Sequence, residues 1–438
     1  MDWTEQSREW LLDKLAPTED LEVRTLRHNG SQVELLFIRS ICDTALIRKQ
    51  LVEPYFQMNT DQEYETYLLA FPGAYIARNN VDTLNKMTSG FAVITLGDHM
   101  LLFNVVQVKA AALSEATVES TLLGPQTAFS EHIDTNLNIV RLRYRQSSLK
   151  TENLEIGRLT QTRVSLVYDD KLVDQGALTH IRQCLQQIET DALQSTGEIH
   201  RLLTKKSYVL FPVYLSTERP DRTITNLAQG KIVLMIEGTP FVLLLPAVFF
   251  DFYSAMDDTY QLPAVSYFLK ILRYVALLTS ILLPGAYVAL TAYNPEIFRV
   301  QLAMSIAGSR ASVPYPAYVE VIFMLVMMEL LLEASIRLPK SVGSTATTVG
   351  GLILGQAATQ AGLISTIMII IVSTVAICNF VVPINTMSFA MRIVKYPLVL
   401  LASLFGILGL VIGFVGLLGY LSSLRSFGKP YLRIFWKR

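Results

Sequence analysis

Hydrophobic and polar positions change rhythm along this chain. Up to about residue 260, short apolar runs alternate with charged stretches. Beyond that point charges thin out and long apolar runs follow. The pattern predicts a soluble N-terminal half on a membrane C-terminal half. Thr347–Pro383 has no charged side chain, and a bilayer core needs only about 20 apolar residues of helix. Its small residues keep a rhythm: Thr348, Gly355, Thr359, Gly362, Thr366 and Ser373 follow steps of seven, four, three, four and seven. On one continuous helix that period places them on a single face, with Leu352 and Ile369 on the same stripe. Gly351 and Gly355 also form a G-x-x-x-G, which lets helix backbones approach closely in lipid. Two readings stay open: a helix–helix packing seam, or a pore wall with Leu352 or Ile369 as an apolar constriction.

Other segments fit a polytopic membrane domain. Val265–Tyr293 is a span candidate, with Lys270 and Arg273 placed to snorkel to the cytoplasmic surface. After a polar connector, Tyr318–Leu338 is a second candidate carrying Glu320, Glu329, Glu333 and Arg337. The last three recur at i, i+4 and i+8, so they are expected to stack and pair on one helix face. Ionisable groups within a membrane are functional candidates by default; the alternative is a structural salt-bridge ladder. Tyr396–Leu421 is a clear span. Arg425, Lys429, Arg433, Lys437 and Arg438 follow it with no acidic residue, which puts the tail in the cytoplasm. Phe241–Tyr253 is too short to span and is expected in the membrane interface. Four to six membrane segments are expected, and both ends inside require an even number of crossings.

The soluble half reads as two small subdomains. In the first, residues 3–15 have helical periodicity. Leu21–Leu26 and Val33–Ile38 are strands around a His28-Asn29-Gly30 turn, Cys42–Phe56 is a helix, and Gly90–Val108 is a hairpin turning at Gly97-Asp98. In the second, Ile133–Tyr144, Leu178–Thr190 and Asp191–Leu203 read as helices. Thr162–Tyr168, Tyr208–Tyr214 and Lys231–Ile236 read as strands. The expected fold class is an α+β soluble N-terminal region of two α/β subdomains followed by an all-α polytopic membrane domain. The boundaries are 1–122, 123–240, 241–421 and a basic tail at 422–438.

Composition narrows the function. The 438 residues hold 37 basic and 37 acidic side chains, a balance that gives no case for nucleic acid binding. Cys42, Cys184 and Cys378 lie far apart, arguing against a disulfide framework and a zinc site. The N-terminus lacks a basic region followed by an apolar one, so no cleavable signal is expected. The five histidines show no paired spacing, and no nucleophile elbow, phosphate loop or dinucleotide fingerprint is present. Asp257 and Asp258 are expected to be solvated or juxtamembrane. No enzyme activity, cofactor or metal is expected.

Eight stretches, in order from about residue 120, carry a resemblance. They are Gly124-Pro125-Gln126-Thr127-Ala128-Phe129-Ser130-Glu131 with Asn136 and Arg141-Leu142-Arg143; Thr217-Glu218-Arg219-Pro220-Asp221; Glu237-Gly238-Thr239-Pro240-Phe241 with Pro246; and Pro284-Gly285-Ala286-Tyr287-Val288-Ala289-Leu290. Next come Arg310, Val313-Pro314-Tyr315-Pro316 and Glu320; Glu329-Leu330-Leu331, Glu333-Ala334 and Arg337-Leu338-Pro339; and Val349-Gly350-Gly351, Gly355-Gln356-Ala357-Ala358, Ala361-Gly362 and Ser365. The last is Ser426-Phe427-Gly428-Lys429-Pro430-Tyr431. Together they resemble the A subunit of GerA-type spore germinant receptors; the first 120 residues match only in general character. Leu332 stands where the family often has arginine. Thr366 stands where proline is common, which implies a straighter helix here. The sporulation stage V paralogue is similar, and the sequence does not separate the two.

The resemblance implies a multi-pass protein of the spore inner membrane with its N-terminal domain and tail in the cytoplasm. Its implied partners are a permease-like B subunit, a lipoprotein C subunit and further copies of itself, as a pentamer. It implies a ligand-gated cation channel that triggers germination. Leu352 and Ile369 would then be gate residues, Thr359, Thr366 and Ser373 pore lining, and Glu329, Glu333 and Arg337 a charge network coupled to the gate. A non-conducting scaffold that docks the permease subunit and a secondary transporter are the alternatives.

Overall fold

The computed structural model describes residues 3–433 except 17, 98, 108–113, 122 and 204–208, and gives the backbone alone at 3, 200 and 340–347. Asp98, Val108, Tyr208, Lys437 and Arg438 therefore lie outside the described residues. Helix α1 (Trp3–Leu15) is followed by strands β1 (Leu21–His28) and β2 (Ser31–Ile38), then by short helices α2 (Thr44–Ile47) and α3 (Glu53–Gln57). Helix α4 (Asp61–Leu69), strand β3 (Ala74–Ile76), helix α5 (Asn80–Met87) and strands β4 (Phe91–Leu96) and β5 (His99–Asn104) complete the first subdomain. Its sheet is antiparallel in the order β1-β2-β4-β5-β3. The β1–β2 hairpin closes from His28 to Ser31 through Asn29 and Gly30, both at positive φ. A two-residue turn that matches strand twist requires that conformation. The helix expected over Cys42–Phe56 is present as a continuous helical run from α2 through a wider turn at Arg48–Val52 into α3. Pro54 cannot donate a regular helical bond, and the wider turn precedes it.

Strands β6 (Ser114–Glu115) and β7 (Thr127–Ala128) pair ahead of helix α6 (Ile133–Arg143). Strands β8 (Leu149–Ile156) and β9 (Thr162–Asp169), helices α7 (Gln175–Gln186) and α8 (Thr196–Leu203), strand β10 (Leu215–Thr217) and helix α9 (Pro220–Ala228) follow. Strands β11 (Ile232–Ile236) and β12 (Val242–Leu245) close the second sheet, ordered β10-β12-β11-β9-β8 and antiparallel throughout. The strand expected at Tyr208–Tyr214 lies later, at β10. The segment expected in the membrane interface, Phe241–Tyr253, is β12 and a 3₁₀ turn over Phe249–Tyr253. The boundary placed after residue 240 thus cuts the β11–β12 hairpin. Both strands are buried along their whole length, and each such apolar side chain stabilises by about 1.5–3 kcal/mol. Helix α6 joins the two subdomains. Asn138 donates to the Ser40 and Gln107 carbonyls at 2.8 and 2.9 Å, and buried Arg141 pairs with Asp20 at 3.1 Å.

A one-turn helix α10 (Asp257–Tyr260) leads into the helical region: α11 (Pro263–Ala292), α12 (Val300–Arg310), α13 (Ala317–Arg337), α14 (Lys340–Gln360), α15 (Thr366–Phe380) and α16 (Asn385–Ser423). Among the described residues α11 and α16 are long and apolar enough to cross a membrane. Thr347–Pro383, which the sequence leaves as either a broken or tilted span or a hairpin, is two helices: α14 ends before Gly362, which has φ +67, and α15 begins with Ser365 as its N-cap. One expectation fails here. Tyr396–Leu421 is not one straight span: α16 breaks at Gly406 (φ 61, ψ −140) and folds back. A Cβ on Gly409 would lie 2.0 Å from the Leu401 carbonyl oxygen, and one on Gly413 2.7 Å from Leu398. On an unbroken helix those pairs would be about 12 and about 22 Å apart.

The returning arm brings the chain back to the second subdomain. A two-strand hairpin, β13 (Arg425–Ser426) and β14 (Lys429–Pro430), follows it. Ser426 donates to the Val213 carbonyl and the Tyr431 hydroxyl to that of Pro212, both at 2.8 Å. The described part of the basic tail is therefore packed against the α/β region. One apolar core runs from β9, β11 and β12 through Phe252 and Tyr431 into α11 and α16.

Candidate functional site

Two charge clusters lie between helices of the helical region. At the first, Glu329 of α13 faces α16. Arg392 Nε donates to Glu329 Oε2 at 2.7 Å, and Lys395 Nζ donates to Oε1 at 3.0 Å. The side chains are 23% (Glu329), 13% (Arg392) and 1% (Lys395) exposed. The expected three-residue ladder therefore splits. Glu333 and Arg337 pair with each other at 2.7 Å on the surface, while Glu329 turns inward to two cations. Arg392 and Lys395 were missing from the sequence-derived set. A signal for them exists: from Pro339 to Arg438 the sequence holds no aspartate or glutamate, so a buried cation there must find its partner outside that stretch.

At the second place, Glu320 is fully buried. It accepts from the Ser365 amide and hydroxyl, both at 2.6 Å, and Arg310 of α12 lies 3.5 Å away. Ser365 in turn accepts from the Met368 amide at 3.3 Å. A carboxylate at a helix N-terminus meets unsatisfied N–H groups and the positive end of the helix dipole. Glu320 thus anchors the start of α15, immediately after the break at Gly362. A Cβ on Gly362 would lie 3.0 Å from the Ser312 carbonyl oxygen, so the break is packed against the α12–α13 connection. Thr366 is the first residue of α15, a position that suits proline. Its lack of proline does not straighten the chain, because Gly362 and Ser365 make the break.

The small-residue stripe is shared between two helices. Gly355 is buried, and a Cβ there would touch Ile369 Cδ1 at 3.8 Å. Gly350 and Gly351 similarly face Leu331. Gly355 and Ile369 thus meet between α14 and α15, Thr359 is part-buried and donates to the Gly355 carbonyl of its own helix, and Ile369 packs on a buried cluster with Met368 and Val372. Thr348, Leu352, Thr366 and Ser373 are exposed on the chain's exterior.

The α/β region meets α11 through a polar cluster. Arg219 is buried and pairs with Asp221 at 2.6 Å, while also donating to the Glu119 and Pro125 carbonyls at 3.0 Å. The Tyr260 hydroxyl donates to Asp221 at 2.6 Å, and Arg222 donates to the Ser254 carbonyl at 2.5 Å. Burial would raise the Asp221 pKa, but the Arg219 and Tyr260 hydrogen bonds outweigh it and hold the carboxyl below its ordinary value. Arg273 does not snorkel: it donates to Asp258 at 2.6 Å, and Asp258 is buried rather than solvated. Among the described residues no group of three or more His, Cys, Asp or Glu side chains could hold a metal ion.

Residues 9–438 match the family described as Bacillus/Clostridium GerA spore germination protein. The chain belongs to this family. It is 32% identical to spore germination protein KA of Bacillus subtilis over 94% of this chain and 77% of that one. It is 31% identical to spore germination protein GerLA of Bacillus cereus over 96% and 87%. It is 32% identical to the uncharacterized membrane protein YfkQ of Bacillus subtilis over 92% and 80%. The crystal structure of the N-terminal domain of the A subunit of the Bacillus megaterium spore germinant receptor GerK3 aligns with 24% identity and a TM-score of 0.42. That alignment covers 55% of this chain and 94% of that one. In this GerA-family chain, two of the stretches that carry the resemblance acquire structural roles: Thr217–Asp221 holds the segment around Pro125, and Ser426–Tyr431 locks the end of α16 to the second subdomain.

Proposed function

We propose that this chain is the A subunit of a spore nutrient-germinant receptor and the channel-forming part of it. In this reading α11, α13, α14, α15 and both arms of α16 cross the inner membrane of the spore, six passes in all. The observation that supports this topology is the docking of Tyr431 into the α/β region. In this reading it holds the end of α16 on the same side as the N-terminal subdomains, which agrees with an even number of crossings. Helix α15 has 15 residues, about 22 Å of rise, less than a hydrocarbon core of about 30 Å. The preceding Ile364 and Ser365 extend it, and both are 1% exposed. Irregular backbone at membrane depth is tolerated where protein buries it.

Copies of the chain, as a pentamer, would bring exposed Leu352, Thr366 and Ser373 to a common axis, with Thr359 nearby. A permease-like B subunit would bind the germinant, a lipoprotein C subunit would complete the complex, and binding would favour the open state. The Gly355–Ile369 contact within one chain favours a second reading, a non-conducting scaffold. The test is the full chain in potassium-loaded liposomes, crosslinked and followed for ion efflux, with Leu352→Ala and Ile369→Ala alongside. A ring-sized oligomer with faster leak in either variant supports the channel and places the gate. A monomer or dimer with no leak in any form overturns it in favour of the scaffold.

A further inference from the structure

The charge site beside α16 is not balanced. One carboxylate, Glu329, faces two cations, Arg392 and Lys395. No second carboxylate can come from α14, α15 or α16, since none of them contains one. The other two on α13 are engaged elsewhere, Glu333 with Arg337 and Glu320 with Arg310 and Ser365. A positive charge left over among apolar helices is unfavourable unless an anion compensates it.

Next to this cluster lies a cavity of 780 Å³ between α13, α14, α15 and α16, and Arg392 is part of its wall. Asn379 is in the wall as well. It is 5% exposed, and its amide Nδ2 has no hydrogen-bond partner. That nitrogen is enclosed by protein in this structure, and a buried donor left unmade costs about 1–3 kcal/mol, so a ligand toward which the carboxamide can turn is favoured. The rest of the wall is largely apolar, with Leu331, Leu332, Ile336 and Phe389.

Three observations therefore converge: an uncompensated cation, an orphaned donor on a wall residue and a largely apolar cavity lined by Arg392 and Asn379. We propose that this cavity is a binding site for an amphipathic monoanion. Its oxyanion head would accept from Asn379 and be held by the Arg392–Lys395 charge, and its apolar body would lie along Leu332, Ile336 and Phe389. An anionic membrane lipid and a free amphipathic carboxylate share this chemistry. The site is independent of whether the chain conducts ions.

The test is native mass spectrometry of the full chain in a non-ionic detergent. The probes are phosphatidylglycerol, phosphatidylcholine and octanoate, each titrated separately. One equivalent of phosphatidylglycerol retained without octanoate supports the site with lipid as its source; retained octanoate supports it with a free anion as its source. Phosphatidylcholine should bind at least about tenfold more weakly than the anion that is retained, since it offers no net charge. Arg392→Gln and Asn379→Ala should each weaken retention by about tenfold or more. Leu332→Trp narrows the cavity beside the proposed apolar body without removing a charge of the ion cluster and should also weaken retention by about tenfold or more, which keeps the test decisive if Arg392→Gln does not fold. Retention of no anionic probe, equal retention of phosphatidylcholine, or unchanged retention in folded Leu332→Trp overturns the proposal.

Discussion

Tyr293 sits on Gly406. Its hydroxyl donates to the Ser403 and Leu404 carbonyls at 2.7 and 3.1 Å, and a Cβ at Gly406 would lie 2.9 Å from its ring. The end of α11 thus satisfies carbonyls that the break in α16 leaves without helical partners. Gly406→Ala is expected to lose about 2–3 kcal/mol, because an alanine is strained at that φ and ψ and has no room beside the ring. Tyr293→Phe should lose about 1 kcal/mol. Thermal unfolding in detergent measures both. A Leu398→Cys, Gly413→Cys pair tests the reversal directly, since the nearest atom to a Cβ at Gly413 belongs to the Leu398 side chain that the substitution removes: a short bifunctional reagent should bridge it, and could not on a straight helix.

Glu329 is the single carboxylate for two cations, buried Lys395 and part-buried Arg392, so its loss should exceed the loss of either one. Glu329→Gln leaves Arg392 and Lys395 facing each other, and breaking such a pair costs about 3–5 kcal/mol. Glu329 is 23% exposed, which places the expected value near the lower end. Arg392→Gln leaves a neutral Glu329–Lys395 pair and should cost about 1 kcal/mol. Equal losses in the two variants, measured by unfolding in detergent, would contradict this asymmetry.

The first subdomain was largely legible because its signals are local. Asn29-Gly30 and Gly97 each sit between two apolar runs of strand length and set a two-residue turn. Strand β12 was not legible: Val242–Leu245 is buried on both faces, so it has no alternation and reads like a membrane segment. The stripe from Thr348 to Ser373 misled for another reason. The five residues between α14 and α15 preserve the spacing of small residues, so the period runs across Gly362 although the helix does not. The break at Gly406 carries no polar marker because its carbonyls are satisfied by Tyr293, more than a hundred positions away in the chain. The Glu329 site was half legible: the glutamate stood out on an apolar helix, while its partners lie on a helix whose register against α13 only the fold sets.

Asp221 should give the α/β region an acid-sensitive contact to α10. Its folded carboxyl titrates below the ordinary 3.8. Its stabilising contribution is therefore full above that value and is lost as pH falls through the lower, folded one. Asp221→Asn should remove that part of the acid limb of a stability–pH profile. It should also cost about 3 kcal/mol at neutral pH, since Arg219 is left buried with one partner fewer. An unchanged acid limb in the variant would place the titration elsewhere.

Cys42 should be inert. Burial pushes its thiol up to about 12, and the thiolate is the reactive form. In native protein near pH 8 a maleimide should leave Cys42 unmodified, and denaturant should expose it to complete labelling. Peptide mapping by mass spectrometry distinguishes it from Cys184 and Cys378. Labelling in the native state would mean that the first subdomain opens around α2.

Tyr431 couples the last helical arm to the α/β region. Its side chain is fully buried, its hydroxyl donates to Pro212, and its carbonyl accepts from the Phe249 amide at 3.0 Å. Tyr431→Phe should lose about 1 kcal/mol, the value of one buried hydrogen bond. Tyr431→Ala should lose about 3–5 kcal/mol, the range for emptying a buried aromatic site. Hydrogen exchange locates the effect. In Tyr431→Ala, the Phe249 amide and the chain around Pro212 should lose protection first, while β4 and β5 in the other subdomain keep theirs. A uniform loss across both subdomains would instead mean that the two unfold as one unit, with α6 and its Arg141–Asp20 pair binding them too tightly for the contact at Tyr431 to be released alone.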